Sequence, residues 1–456
     1  MKANRFLILM TAILILSAAA LCAFAQEAPV HTSGYFDYII LEDGTASITR
    51  CFGPSKDLEI PAKLDGYKVT HLADKLLYRN RFVTSVSIPK TVTTIGEGAF
   101  AYCSSLETVK LANGVTELKT GAFAWCNALE KISLPKTVKN IGDLCFYGCE
   151  HLTSISLPKS LDSIGEQAFA YCTRLETLTL PKGLSAISEK LFYECAALHK
   201  IELPQGITEI GESAFGNCIS LSEVILPDGM ITIGPDAFQN CRALQRIVLP
   251  ESVQTVEKWA FSTCVSLKEI NLPKGLIRLG DCAFSSDMAL ESITIPPVQE
   301  MGKGVFSGCG SLAQVILPEG LTAIWDGAFT GCRQLKEIRL PEGLVRVGEH
   351  AFSGCEMLES LHLPESVKEI GEHAFSSCGN LKSVSLPDGL ETIGESAFKM
   401  CFGLEQLSIP ESVSLIGDDA FAHATRLELT IIKGSFADSY VQNQPRLRYV
   451  YQDEAQ

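Results

Sequence analysis

Seventeen cysteines and eight histidines are the residues with which this chain could do chemistry, and their spacing decides which kind. Thirteen cysteines occupy one recurring position, Cys103 through Cys264 and Cys309 through Cys401, in steps of 23 within each run. So many would ordinarily suggest disulfides in an exported chain. Equivalent positions in stacked coils, however, lie ~5 Å apart with parallel side chains, whereas a disulfide wants converging Cβ atoms ~3.8 Å apart. The spacing predicts a ladder of small, buried, apolar thiols. No C-x-x-C pair exists, so no metal site is expected. Cys51, Cys145 and Cys282 stand off the ladder and are the expected reactive or paired thiols. His350 and His373 share one position in adjacent coils, two residues before a Phe, with no third ligand implied. G-x-S-x-G, H-E-x-x-H and phosphate-loop motifs are missing, and repeated residues offer no unique acid–base pair. No catalytic residue, cofactor or metal is expected, and the chain does not read as an enzyme.

The thiols belong to a 23-residue unit, seen clearly from Leu152 to Arg174, with the form L-x-x-[IV]-x-L-P-x-[GST]-[VL]-x-x-[IV]-G-x-x-A-F-x-x-C-x-x. Its Pro recurs at 135, 158, 181, 204, 227, 250 and 273, and its Phe eleven residues later. A fixed period of this length means stacked units, because one unit cannot bury its own apolar face. Leu106, Val109 and Leu111 alternate with Thr108 and Lys110 as a strand does. A second extended piece carries Val115 and Leu118. Ala99, Phe100, Cys103 and Leu106 fall at near-helical spacing and predict a turn or two of helix. The expected fold is an α/β repeat solenoid with a parallel β-sheet on one face, short second strands and short helical turns. About sixteen coils over 58–432 would form a rod or arc ~75 Å long. Gly after Ile (Gly96, Gly142, Gly165, Gly211) is replaced by Lys119, Ser188, Glu257 and Trp325, so close packing rather than positive φ explains the preference.

Lys2 and Arg5 precede an apolar run from Phe6 to Ala20, and Ala23-Phe24-Ala25 is a small-x-small cleavage site. Residues 1–25 therefore read as a signal peptide, and bulky Leu21 argues against lipidation at Cys22. No later apolar run approaches the ~20 residues needed to span a bilayer. Residues 26–57 read as a capping β-hairpin turning at Asp43-Gly44, and 433–456 as a C-terminal cap with a helix and a strand. The formal charge of −15, or −17 once Lys2 and Arg5 are removed, argues against nucleic acid and anionic membranes as partners.

The unit resembles the BspA-type leucine-rich repeat family of bacterial secreted and surface proteins. The match lies in L-x-x-I-x-L-P, I-G-x-x-A-F and the Cys three residues after Phe, and it covers nearly the whole mature chain. The first coil with Asp65-Gly66-Tyr67 and the last with Gly434-Ser435 are included. The resemblance implies a recognition solenoid, with family members implicated in adhesion to host extracellular proteins and in coaggregation. The expected function is that of an exported, non-enzymatic protein-binding solenoid, an adhesin or host-interaction protein of a bacterium. Its partner would be a protein such as a host matrix or surface component, and its location secreted, surface-held or periplasmic. The alternative is an envelope scaffold for the producer's own proteins or glycans.

A partner would meet the outward strand positions. From Ser85 to Thr179 the early coils offer Thr108, Lys110, Lys131 and Thr177 with no acid among the outward positions, and middle coils offer Glu223, Ile225, Arg246 and Val248. Ile225 and Val248, with Ile316 further along, mark an apolar contact patch. Trp325 is either an outward binding residue or a half-buried loop side chain. Residues 83–182 hold nine Lys/Arg and nine Asp/Glu, whereas 301–432 hold nine and eighteen, a net −9. Asp287 replaces a ladder Cys in a coil one residue short, and a kink or opened ladder is expected near 284–302.

Overall fold

The computed structural model describes residues 28–53 and 55–452. The expected signal segment and Cys22 lie outside them. Each coil has three sides, typified by 152–174. Ser154–Ser156 is a first strand, Ser163–Ile164 a second, and a run of turns around Phe169 closes the coil. First strands pair in parallel one repeat apart, Lys131 with Ser154 and Ile132 with Ile155, and second strands likewise, Asn140 with Ser163. The aliphatic residue at the centre of each first strand, most often Ile or Val, points inward, which keeps successive coils in register.

The third side corrects the expected helix. Around Phe100 the N–H groups of Gly98, Phe100 and Tyr102 donate to Thr120, Ala122 and Ala124 of the next coil. Those of Ala99, Ala101 and Cys103 turn back three residues within their own coil. Gly98 and Tyr102 have φ of 56° and 62°, and the same two positions flanking each Phe are left-handed in every coil from Lys75 and Arg79 to Asp419 and His423. Two left-handed residues four apart stop a helix before its first full turn. Among the described residues the one helix is α1 (Phe436–Gln442), in the tail.

Fifteen phenylalanines, Phe100 to Phe421, stack down the interior with centroids 5.2 to 5.9 Å apart and nearly parallel planes. All are at most 1% exposed, each stabilising the rod by roughly 1.5–3 kcal/mol on transfer grounds. At the N-terminal end, β1 (His31–Ser33), β2 (Phe36–Ile40) and β3 (Ala46–Cys51) form an antiparallel ribbon, and β3 continues in parallel onto Tyr67–Leu72. At the other end α1, N-capped by Ser435, buries Ala437 and Val441, and Arg448–Tyr451 pairs with Glu428–Ile431. Both ends of the stack thus have their apolar faces covered.

The coil of Asp287 is not kinked. Phe284 stacks at 5.4 and 5.6 Å on its neighbours, and the second strand pairs Arg278 with Glu300 and Leu279 with Met301. Asp287 is fully buried, with Oδ1 accepting the Cys264 N–H at 2.8 Å and Oδ2 unpartnered. The second-strand ladder does open one step later, between Met301 and Ile324, and also between Ile164 and Ala186. The coils after these openings carry Trp325 and Ser188 in place of glycine. A Cβ on Gly96 or Gly211 would lie 2.7 or 2.8 Å from backbone nitrogen of the preceding coil, which is the close packing expected. Lys119 and Glu257 nevertheless keep their ladder bonds, at 3.0 and 2.9 Å.

Candidate binding surface

The ladder thiols are interior. Each ladder thiol donates to a carbonyl of the preceding coil, as Cys126 does to Phe100 and Cys172 to Phe146, both at 3.2 Å. Burial pushes these thiols up, to about 12 at Cys103, Cys149, Cys355 and Cys401. All sixteen described cysteines are free. Cys145 is corrected from a reactive or paired thiol to a buried one. It fills the repeat's alanine position beside Phe146, is fully enclosed, and burial raises it well above the ordinary thiol range. Cys51 and Cys282 are half-buried. His350 and His373 stack at 4.6 Å on left-handed positions, φ 53° and 54°, so they stabilise one another as rings. Among the described residues no group of three or more His, Cys, Asp or Glu is placed to hold a metal ion.

The outward strand positions form a polar face. Thr108, Lys110, Lys131 and Thr177 are exposed there. Thr177 is joined to Ser154 and Lys200 by isolated bridges rather than by full strands. Where the ladder thins, an open groove of about 460 Å³ lies between Thr177, Thr179 and Lys182 on one side and Lys200, Glu202 and Gln205 on the other. Beyond it the charged column neutralises itself: Lys200 meets Glu223 at 2.6 Å, and Arg246 meets Glu269 at 3.7 Å. The neighbouring column turns apolar. Ile225 and Val248, in adjacent coils, are 42% and 56% exposed, and Ile225 is the register partner of Glu202 in the groove wall. Ile316 is 62% exposed but stands apart, because Asn271 and Thr294 occupy the two intervening coils. The Asn271 amide folds back on Leu249, accepting its N–H at 2.9 Å and donating to its carbonyl at 2.8 Å. Trp325 is half-buried against the core at the end of a second strand, away from this face, and does not join it.

One surface escaped the reading of strand columns. Six aromatic side chains line the turn side of six successive coils, from Tyr78 to Tyr193. Their signal was present as a Tyr or Trp one or two residues after the repeat's Phe, a register that wanders and so hides from a fixed consensus.

A family model described as BspA type leucine-rich repeat region matches residues 70–198, 185–312 and 299–428. The structure is similar to that of a leucine-rich repeat protein from Bacteroides ovatus, at 28% identity, 88% of this chain, 100% of that one and a TM-score of 0.61. A leucine-rich cell surface protein from Faecalibacterium prausnitzii is 26% identical over 79% of this chain and 96% of its own, with a TM-score of 0.41. A leucine-rich repeat protein of T. pallidum is 27% identical over 47% and 91%, with a TM-score of 0.37. No curated protein matches the chain.

Proposed function

The chain belongs to the BspA-type leucine-rich repeat family, and from that premise we propose that it is an exported, non-enzymatic recognition protein whose strand face binds a protein partner at a bacterial surface. The observation that carries this reading is the contrast between an interior repeated coil after coil and a strand face that changes character along its length. Free lysines give way to a groove, then to paired charges beside the exposed aliphatics Ile225 and Val248. Exposed aliphatics rimmed by charge are where protein interfaces place their desolvated centre. Association with host proteins, as an adhesin, is the finer form of the proposal. It draws support from the family's use in adhesion and from the amino-terminal segment that reads as an export signal.

The test compares the mature chain with its Ile225→Ser/Val248→Ser variant, both immobilised, against purified host matrix proteins and the producer's envelope extract. The expected result is a matrix protein retained by the first and lost from the second. Retention of the same protein by both would overturn the strand-face assignment. Protease access on intact cells separates the adhesin from an envelope scaffold, since a wholly protected pool excludes a host-facing role.

A further inference from the structure

The file of aromatic rings on the turn side runs Tyr78, Tyr102, Trp125, Tyr147, Tyr171, Tyr193, with successive centroids 5.5, 6.0, 5.3, 5.2 and 5.6 Å apart. Tyr78 and Tyr102 are 40% and 41% exposed, and the others are half-buried. At its amino-terminal end an open cavity of about 550 Å³ is lined by Arg79, Arg81, Tyr102, Ser104, Trp125 and Asn127. The Arg79 guanidinium lies 5.2 and 5.7 Å over the rings of Tyr78 and Tyr102. Neither Arg79 nor Arg81 makes an ion pair among the described residues. The stretch 56–90 around them holds seven Lys/Arg against four Asp/Glu, a local net of +3 in a chain of −15.

Two further observations separate this surface from ordinary exposed rings. Tyr102, Trp125 and Tyr171 stand at left-handed positions, φ 62°, 60° and 61°, where Gly148, Gly308, Gly331 and Gly354 serve in other coils. A side chain there is held at a backbone cost of roughly 1–2 kcal/mol, a cost that most coils bear with polar or flexible residues and this stretch bears with three bulky aromatics. Much of the backbone here is also already engaged. The N–H groups of Arg79, Tyr102 and Trp125 already donate to the next coil at 2.8, 2.7 and 2.6 Å, and that of Ser104 to Tyr102 at 2.9 Å. A ligand is therefore met mainly by rings, guanidinium groups, a hydroxyl and an amide, with no sheet edge for strand addition.

We propose that this end of the turn side is a binding site for an acidic, uronate-bearing polysaccharide. The apolar face of a sugar ring lies on Tyr102 and Trp125, its carboxylate is held by Arg79 and Arg81, and its hydroxyls are met by Ser104 and Asn127. Guanidinium–carboxylate contacts supply the charge selectivity, and the remaining rings of the file extend the platform to neighbouring sugars. This site is independent of the strand face and of the protein partner proposed for it.

The test measures binding of the mature chain to hyaluronan, alginate and polygalacturonate oligosaccharides, to their carboxyl-reduced forms and to poly-glutamate. Binding to at least one uronate glycan is expected, with loss on carboxyl reduction and a weakening of about tenfold or more in Arg79→Gln/Arg81→Gln. Trp125→Gly, whose glycine suits the left-handed backbone, should lose binding with its thermal unfolding little changed. Ile225→Ser/Val248→Ser should bind as the unaltered chain does. Failure of all three glycans, or equal binding of poly-glutamate or of the reduced forms, overturns the proposal.

Discussion

The coils between residues 73 and 195 and those between 300 and 428 share an interior and differ in almost everything outside it. Both stack phenylalanines at 5.2 to 5.9 Å, and in both each ladder thiol bonds back to the coil before. Outside, the left-handed position after Phe holds Arg79, Tyr102, Trp125, Gly148, Tyr171 and Glu194 in the first region, and Gly308, Gly331, Gly354, Ser377, Met400 and His423 in the second. Among the described residues no ion pair involves a residue before Glu189, whereas Arg346 alone contacts Asp326, Glu349 and Glu369. Since one interior serves both, the exterior differences are not required by folding. The first region keeps its cations and rings available to a partner. The second neutralises much of its own charge.

The largest test of that equality is in the shared interior. Phe146→Ala and Phe352→Ala should each destabilise by about 3–5 kcal/mol, read by denaturant or thermal unfolding. Closely similar losses are expected, because each ring is fully buried between two parallel rings. A loss in one region at least twice that in the other would break the claim of a common core.

Asp287 sits between the two regions and offers the next largest effect. Asp287→Cys replaces a carboxyl with an orphaned buried oxygen by the thiol its neighbours carry, which should raise stability by about 1–3 kcal/mol even at low pH, where the carboxyl is protonated in both states. Burial holds the folded carboxyl well above its ordinary range, so the folded chain keeps a proton that the unfolded chain releases above pH ~4. The native contribution is therefore complete below that pH. It falls by about 1.4 kcal/mol per unit as pH rises, until the folded group ionises. The gap between the melting temperatures of the two proteins should be smallest near pH 4 and widen toward pH 7. Parallel curves would show that Asp287 is not held protonated.

The repeat was legible because Leu, Ile, Phe and Cys each answer one demand of the stack. The turn side was not. Ala99, Phe100, Cys103 and Leu106 have helical spacing, yet the left-handed residues that forbid a helix are Gly98 and Tyr102, and tyrosine carries no such mark in sequence. Asp287 read as a disruption because burial without partners is normally intolerable. A carboxyl that burial raises well above its ordinary range and that accepts one N–H is tolerated. Ile225 and Val248 were readable as exposed from strand alternation alone. The cavity beside Arg79 was not, since it joins residues of three coils.

Backbone preference gives a smaller test. Gly354 has φ 73°, and a Cβ there would find only ordinary contacts, the nearest at 3.6 Å. Gly354→Ala should thus cost about 1 kcal/mol from conformation alone, measured as a shift in unfolding midpoint. Tyr102→Gly should recover a similar amount from the backbone while giving up ring stacking worth roughly 0.5–1.5 kcal/mol, leaving stability close to unchanged. If Gly354→Ala is neutral, the left-handed sites impose no strain, and the aromatic file loses one of its distinguishing features.

The smallest effect separates paired from unpaired surface charge. Lys200 meets Glu223 at 2.6 Å with both side chains about half exposed, 48% and 52%, while Lys131 occupies the same strand column with no ion-pair partner among the described residues. An exposed pair is worth about 0–1 kcal/mol and is screened by salt. Lys200→Ala should therefore cost a few tenths of a kcal/mol in low salt, and less at high ionic strength. Lys131→Ala should leave the unfolding curve where it was at any salt concentration. For a negatively charged partner the order reverses. Lys131 is available to attract it, whereas Glu223 already holds Lys200, so Lys131→Ala should slow association more than Lys200→Ala does. Equal effects on association would mean that pairing within the column does not decide which charges a partner can use.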